Sequence, residues 1–214
     1  MRILSALRSI RCLLQTTSSP NGLSTRSRTL YRNRRTLLKA LLGFGLVFRR
    51  VSVARADDPK LARPQKGDRF VFAIGDRAGQ IVKPEDLPLG GPQQLTYPMD
   101  PESKVIRDGS LFNQVALVRL EPSQLSTDTQ EYAADGVVAY SAICTHQACP
   151  VSMWKADAKA LFCSCHGAQY DPKDRARVMT GPAPRRLPVL PVRVADGMLV
   201  AAGGFVGTVG GQTH

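Results

Sequence analysis

Apolar residues beyond position 57 fall in short runs whose spacing predicts β-strands. Residues 69–74 place Phe70, Phe72 and Ile74 at every second position, which is the period of a strand with one buried face. Four further runs are rich in β-branched and other apolar residues, which favour strands: residues 115–120, 136–143, 190–194 and 198–202.

Turn-forming residues separate these runs. Asp196-Gly197 stands between the last two runs, and this dipeptide favours a β-hairpin turn. Residues 81–101 are rich in Pro, Gly and Asp, and we interpret them as a long surface excursion. Residues 152–160 are compatible with one short helical turn. Because no segment sustains a helical period, we predict an all-β fold, an antiparallel sandwich or small barrel.

The net charge of +12 belongs to one end of the chain. Residues 1–56 contain eleven Arg, one Lys and no acidic residue, whereas residues 57–214 hold 17 basic and 17 acidic residues. The second segment is therefore electrically balanced and long enough for one hydrophobic core. Since it carries no basic excess, we do not expect nucleic-acid binding.

The basic segment, residues 1–56, reads as a targeting sequence. Residues 33–39, NRRTLLK, are close to the twin-arginine export pattern, and a short apolar run follows to residue 48. Residues 51–56, VSVARA, end in the small-x-small arrangement of signal peptidase sites, so we expect cleavage after Ala56. The alternative is a retained anchor through residues 37–48, although a bilayer core asks for about 20 apolar residues. Either outcome predicts a periplasmic protein or one on the periplasmic face of the inner membrane.

Residues 1–32 are longer and richer in Arg and Ser than such a signal needs. They fit a mitochondrial-type presequence or a start codon assigned too far upstream. We favour the second, because an intact twin-arginine pattern before an apolar run would be a coincidence in a transit peptide. The predicted organisation is a targeting segment, residues 1–56, and one domain, residues 57–214.

Four of the five cysteines and two of the three histidines lie between residues 142 and 172. Box one, residues 144–149, reads CTHQAC, and box two, residues 163–168, reads CSCHGA. Each box pairs a cysteine with a nearby histidine and adds one further cysteine. Two thiolates and two imidazoles are the ligands of a Rieske [2Fe–2S] centre, in which histidines replace cysteines on one iron.

The chain resembles the disulfide-bearing Rieske proteins of cytochrome bc-type quinol oxidoreductases and of the small subunit of arsenite oxidase. The resemblance is close over residues 136–204 and holds only in outline over residues 57–135. It implies a Rieske-type sandwich or barrel, whose cluster-binding part, about residues 136–185, is formed by two loops. By this resemblance one [2Fe–2S] cluster is bound by four side chains: Cys144 and Cys163 on one iron, His146 and His166 on the other. It also implies a disulfide between Cys149 and Cys165.

The resemblance assigns tuning roles to residues around the boxes. Gly181-Pro182-Ala183-Pro184 matches the proline loop that covers the cluster in bc-type proteins. In those proteins a serine and a tyrosine after box two donate hydrogen bonds to cluster sulfurs, and here these positions are Ala168 and Tyr170. Box one also departs from the bc-type pattern, since Gln147 replaces the usual tip leucine and Ala148 the usual glycine.

Two other site types fit less well. A Cys₂His₂ zinc site uses the same four ligands but does not explain the second cysteine pair. A complete Rieske oxygenase needs a further iron held by two histidines and a carboxylate, and the chain has only His214 outside the boxes. We therefore expect an electron-transfer subunit of an oxidoreductase complex rather than a complete enzyme.

The resemblance implies a one-electron relay toward a c-type cytochrome, at the potentials of Rieske centres, roughly −150 to +300 mV. Two partner complexes are compatible with the sequence: a periplasmic molybdenum oxidase such as arsenite oxidase, or the cytochrome b of a bc-type quinol oxidoreductase. The polar tip residue Gln147 favours the first, and the proline loop around Pro182 favours the second. We place the molybdopterin oxidase slightly ahead.

Overall fold

The computed structural model describes residues 58–211. The chain divides after Ala54 into two units, and all described residues belong to the second unit. The twin-arginine pattern, the cleavage site and residues 37–48 lie outside the described residues. Within residues 58–211, no helix has both the length and the apolar character needed to cross a membrane.

Six antiparallel strands form the larger sheet, which we call the base sheet, in the order β4-β3-β2-β1-β10-β9. Residues 188–190, which precede β9 at one edge of this sheet, approach β4 at the other edge. There the backbone N–H of Ser141 donates to the Pro188 carbonyl, and that of Leu190 donates to the Ala139 carbonyl. The base sheet therefore curls back on itself, as expected for a barrel-like fold. Its strands are β1 (Arg69–Phe72), β2 (Gln94–Met99), β3 (Val115–Arg119), β4 (Val137–Ser141), β9 (Val192–Ala195) and β10 (Met198–Ala201).

Four antiparallel strands in sequence order form the smaller sheet, which we call the cluster sheet. They are β5 (Met153–Lys155), β6 (Ala160–Cys163), β7 (Ala168–Asp171) and β8 (Arg177–Thr180). Helical structure among the described residues is limited to α1 (Thr127–Gln130) and three 3₁₀ turns, Pro84–Asp86, Leu111–Asn113 and Pro122–Gln124. The all-β prediction is confirmed.

Two apolar clusters cover the two faces of the base sheet. On β3, Val115 and Leu117 belong to one cluster, while Ala116 and Val118 belong to the other. This division follows from the alternation of side chains along a strand, and it explains why residues 115–118 are continuously apolar. The apolar cluster that contains Ala116 and Val118 also includes Leu161 of β6 and other residues of the cluster sheet. The cluster sheet is therefore packed on one face of the base sheet.

Two local predictions are wrong. Residues 81–101 contain β2, an interior strand of the base sheet, rather than only a surface excursion. Pro98 obscured this strand, because proline is disfavoured in central strands. It is tolerated here because β3 pairs with β2 only at residues 94–96. Residues 152–160 form β5 and the turn into β6 instead of a helical turn.

The predicted hairpin at Asp196-Gly197 is confirmed between β9 and β10. Both turn residues have positive φ, +53° and +70°, as a tight hairpin turn of this kind requires. The first strand is shorter than predicted, because β1 ends at Phe72 and Ile74 is exposed.

Candidate functional site

Box one is a tight loop that leaves the end of β4. The backbone N–H of Cys144 donates to the Cys149 carbonyl (2.7 Å), and the N–H of Ala148 donates to the Cys144 carbonyl (3.1 Å). Ala148 has φ +57°, a conformation that glycine adopts without steric cost. The loop therefore keeps a backbone shape suited to glycine although this chain has alanine there.

Box two is the turn between β6 and β7. Cys163 ends β6 and pairs with Ala168, which begins β7. The N–H of Gly167 donates back to the Cys163 carbonyl (3.1 Å), and Gly167 has φ +76°. The turn thus holds Cys163 inside the sheet while Cys165 and His166 lie exposed at its tip.

A disulfide between Cys149 and Cys165 joins the two boxes, with the Cα atoms 6.5 Å apart. This pairing agrees with the one that the family resemblance implied. Among the described residues, it leaves the thiols of Cys144 and Cys163 outside any disulfide.

The four side chains expected as ligands differ in depth. Cys144 and Cys163 are almost completely buried, whereas His146 is partly buried and His166 is exposed. The two imidazole rings lie edge to face, with their centroids 4.6 Å apart. The boxes therefore place two sulfurs inside and two imidazoles nearer the surface of the same loop pair.

The surroundings of these side chains fit metal binding. Burial raises the pKa of the Cys163 thiol and the adjacent Cys144 raises it further, while the backbone N–H groups of Cys165 and His166 lower it. The net effect is a raised pKa of the free thiol, although the same N–H groups would stabilise the negative charge of a metal-bound thiolate. The Nδ1 atom of His146 is buried without a hydrogen-bond partner among the described residues, which leaves it available as a ligand.

Tyr170 contacts the sulfur of Cys144 from inside the domain. Its Oη lies 3.1 Å from Cys144 Sγ and accepts a hydrogen bond from the Thr145 N–H (3.3 Å). The Thr145 hydroxyl donates to the Arg185 carbonyl (2.6 Å) and therefore gives Tyr170 no proton. Of the two acceptors near the Tyr170 hydroxyl, Cys144 Sγ (3.1 Å) is closer than Thr145 Oγ1 (3.3 Å). Burial and the neighbouring Cys144 raise the pKa of Tyr170, which keeps the phenol protonated as a donor.

The segment Gly181–Pro184 lies against box two. A Cβ atom on Gly181 would stand 2.5 Å from the Ala168 Cα, and Gly181 has φ +95°. Pro182 is exposed. Arg185, which follows the segment directly, accepts a hydrogen bond from the Thr145 hydroxyl of box one through its backbone carbonyl. Gly181 therefore packs directly on box two and Arg185 holds the next part of the chain to box one, while the covering role of Pro182 stays a prediction.

Comparison with known proteins agrees with this geometry. The protein-family model described as the Rieske [2Fe–2S] domain matches residues 81–191, more than half of the chain. The chain belongs to the Rieske family. Its cofactor is accordingly a [2Fe–2S] cluster, and the donor set around boxes one and two fits that group.

Several Rieske proteins are similar to this chain. The cytochrome bc1 complex Rieske iron–sulfur subunit of Streptomyces lividans is 38% identical over 144 residues, covering 64% of this chain and 82% of that protein. A putative respiratory nitrate reductase Rieske subunit of Haloferax mediterranei is 46% identical over 81 residues, covering 37% of this chain and 36% of that protein. Against the cytochrome bc1 subunit of Streptomyces coelicolor, the match spans 40% of the relative's length.

Among solved structures, the soluble domain of Rieske protein II (soxF) from Sulfolobus acidocaldarius is similar to this protein. The two share 25% identity with a TM-score of 0.35, and the match covers 45% of this chain and 66% of that one.

Sequence reasoning about this Rieske protein missed the C-terminal segment, residues 207–211. The Arg185 guanidinium donates to the carbonyls of Thr208 (3.1 Å) and Gly210 (2.6 Å). A Cβ on Gly211 would stand 2.5 Å from the His146 carbonyl oxygen, so this segment is packed directly on box one. No periodic or motif signal marks these contacts, because they join parts of the chain that are distant in sequence.

Proposed function

We propose that this protein is the one-electron carrier subunit of a respiratory redox complex. Cys144 and Cys163 would hold the buried iron of its cluster, and His146 and His166 the iron nearer the surface. The observation that carries the proposal is the difference in depth between the two buried thiols and the two imidazoles, one partly buried and one exposed. When bound, the cluster supplies reversible one-electron chemistry at the moderately high potentials of histidine-ligated centres.

The protein's own residues set the conditions for that transfer. The buried thiols of Cys144 and Cys163 keep the inner side of the site away from water, and Tyr170 keeps a proton at Cys144 Sγ. His166 lies at the surface, so a docked partner can approach the site without displacing the fold. The disulfide between the two boxes holds this arrangement together.

The ligand assignment is tested by metal analysis and EPR spectroscopy of the purified full-length protein. Dithionite reduction should give the rhombic signal of a histidine-ligated [2Fe–2S] pair, and His166→Ala should remove it. The variant His214→Ala, which changes the one histidine outside the boxes, should keep the signal. Stoichiometric zinc without iron or visible absorption would instead establish the Cys₂His₂ zinc alternative.

For the partner, we propose the cytochrome b of a bc-type quinol oxidoreductase, with electrons leaving to a c-type cytochrome. Similarity to the Streptomyces cytochrome bc1 subunit over 144 residues supports this choice. Affinity purification of the protein from detergent-solubilised membranes should recover a cytochrome b. Quinol-dependent reduction of a c-type cytochrome should then require this subunit.

A second candidate is a relay subunit fixed in an enzyme such as arsenite oxidase, where it receives electrons from a molybdenum subunit. The exposed Gln147 at the tip of box one favours it, since a polar tip suits a polar interface better than an apolar quinol pocket. The similarity to a nitrate reductase Rieske subunit points the same way. Recovery of a molybdopterin subunit without cytochrome b would decide for this candidate.

Export by the twin-arginine route to the periplasm, or to the periplasmic face of the inner membrane, completes the proposal. The Cys149–Cys165 disulfide supports it, because disulfides persist in oxidising compartments. Replacing Arg34 and Arg35 together by Lys should leave the protein in the cytoplasm. Replacing Arg49 and Arg50 together by Lys, the arginine pair that follows the apolar run, should leave export intact.

A further inference from the structure

Three arginine side chains meet in one cleft that belongs to neither box. The cleft, about 190 Å³ in volume, lies between the turn before β8, the residues after the proline loop and the C-terminal segment. Arg175, Arg185 and Arg186 line it together with Thr208. None of these residues is a proposed cluster ligand.

The positive charge of this cleft is only partly neutralised. Asp128 on α1 accepts from Arg175 (2.9 Å) and from Arg186 (3.2 Å). Arg185 instead donates to the backbone carbonyls of Thr208 and Gly210, which carry no net charge. Three guanidinium groups therefore share one carboxylate. Like charges repel more strongly next to a protein surface than in bulk water, so an anion in the cleft would stabilise the arrangement.

Arg175, one of the residues that line the cleft, also has an unpaired donor. Its guanidinium lies over the Tyr132 ring, 4.1 Å from the centroid, and its side chain is 11% exposed. The Nε atom is buried and has no hydrogen-bond partner among the described residues. Buried polar groups are nearly always paired, and an N–H of a guanidinium can be paired only by an acceptor.

We propose that the cleft binds a single phosphate-class oxyanion. Guanidinium groups match tetrahedral oxyanions because their N–H donors form forked, charge-assisted hydrogen bonds, and the Thr208 hydroxyl can add a further bond. The volume of the cleft suits one phosphate group rather than a polyanion. The balance of 17 basic and 17 acidic residues over 57–214 also provides no wider field for nucleic acid. Inorganic phosphate and the headgroup of an anionic phospholipid share this chemistry.

Isothermal titration of the full-length, cluster-loaded protein with inorganic phosphate tests the proposal, at constant ionic strength maintained with chloride. We expect saturable binding at one site. Arg186→Gln, at a half-exposed position, should weaken binding at least tenfold, since one charge-assisted pair is lost. Asp128→Asn should strengthen binding, because it removes the competing carboxylate. Arg193→Gln, an exposed arginine of β9 outside the cleft, is the matched control and should bind phosphate as the parent protein does.

Vesicles with and without phosphatidylglycerol distinguish the two sources of phosphate. Free phosphate binding that Arg186→Gln weakens, without added affinity for the charged vesicles, assigns the site to a soluble anion. Binding to charged vesicles that Arg186→Gln weakens and Arg193→Gln leaves unchanged assigns it to a lipid headgroup. The proposal is overturned if neither probe binds, or if Arg193→Gln weakens binding as much as Arg186→Gln. The visible spectrum and melting temperature of each variant serve as controls, and unchanged values exclude misfolding. The outcome does not depend on which partner complex the protein joins.

Discussion

Replacing Tyr170 by Phe removes one hydroxyl from a position next to Cys144 and should lower the reduction potential of the protein. The Tyr170 Oη lies 3.1 Å from Cys144 Sγ in a fully buried setting, so no water replaces the lost donor. Reduction makes the cluster sulfurs more negative. A donor at Sγ therefore stabilises the reduced form more than the oxidised form, and its loss shifts the potential downward.

The expected shift follows from the strength of one hydrogen bond. A hydrogen bond to a charged group contributes about 1.5–3 kcal/mol, and we assign about 1 kcal/mol of this to the difference between redox states. For one electron, about 59 mV corresponds to 1.4 kcal/mol, so the potential should fall by roughly 40 mV. The substitution also leaves the buried N–H of Thr145 without this acceptor, which should lower the free energy of unfolding by about 1–3 kcal/mol.

Tyr140→Phe is the matched control for this experiment. Tyr140 is as buried as Tyr170, but its hydroxyl donates to the Pro172 carbonyl (2.8 Å). Its loss should cost similar stability and leave the potential unchanged. Protein-film voltammetry on the parent and both variants measures the potentials, and chemical denaturation measures the stabilities. An unchanged potential in Tyr170→Phe would show that Tyr170 acts only as a packing aromatic.

Three further predictions concern the contacts around the boxes. Ala168→Ser should raise the potential by tens of millivolts in voltammetry, because a hydroxyl beside the sulfurs favours the reduced form; a fall would contradict this. Gly181→Ala should lower the free energy of unfolding by about 1–3 kcal/mol, because its Cβ would meet the Ala168 backbone. Gly197→Ala, also at positive φ but in open space, should lower the free energy of unfolding less in chemical denaturation, and equal losses would refute the argument. Cys149→Ser should lower the free energy of unfolding by about 3 kcal/mol, as expected for a disulfide that joins cysteines 16 positions apart. Free thiols at Cys149 and Cys165 in non-reducing mass spectrometry of the parent protein would contradict the disulfide.

The cluster-binding loops could be predicted from the sequence because their chemistry depends on residue type at close spacing. Box one and box two each carry their cysteine and histidine within four positions, so the pattern is visible without tertiary information. The resemblance that this pattern carried also predicted the contact between Tyr170 and a cysteine and the pairing of Cys149 with Cys165. These features needed only local order and a known family geometry.

Other parts of the fold could not be predicted because tertiary contacts decide them. β2 looks like a loop because its proline and the flanking Gly-Gly-Pro are turn signals, yet β1 and β3 pair with it on both sides. The link from Thr145 through Arg185 to Gly210 joins three segments distant in sequence. Nothing in the local sequence around Arg185 indicates whether its side chain faces solvent or fixes a second segment.

The order of strands in the two sheets has a consequence for how the chain folds during synthesis. Every strand of the cluster sheet pairs with its neighbour in sequence. In the base sheet, by contrast, β1 pairs on one side with β10, which is distant in sequence, and Arg69 lies opposite Val200. Local pairings form faster because they close shorter loops. We expect the strands of the cluster sheet to pair on the ribosome-bound chain while the base sheet still lacks β9 and β10. A chain that stops before β10 would then retain its cluster-binding hairpins but present β1 as an open edge, the kind of edge that recruits other chains into aggregates.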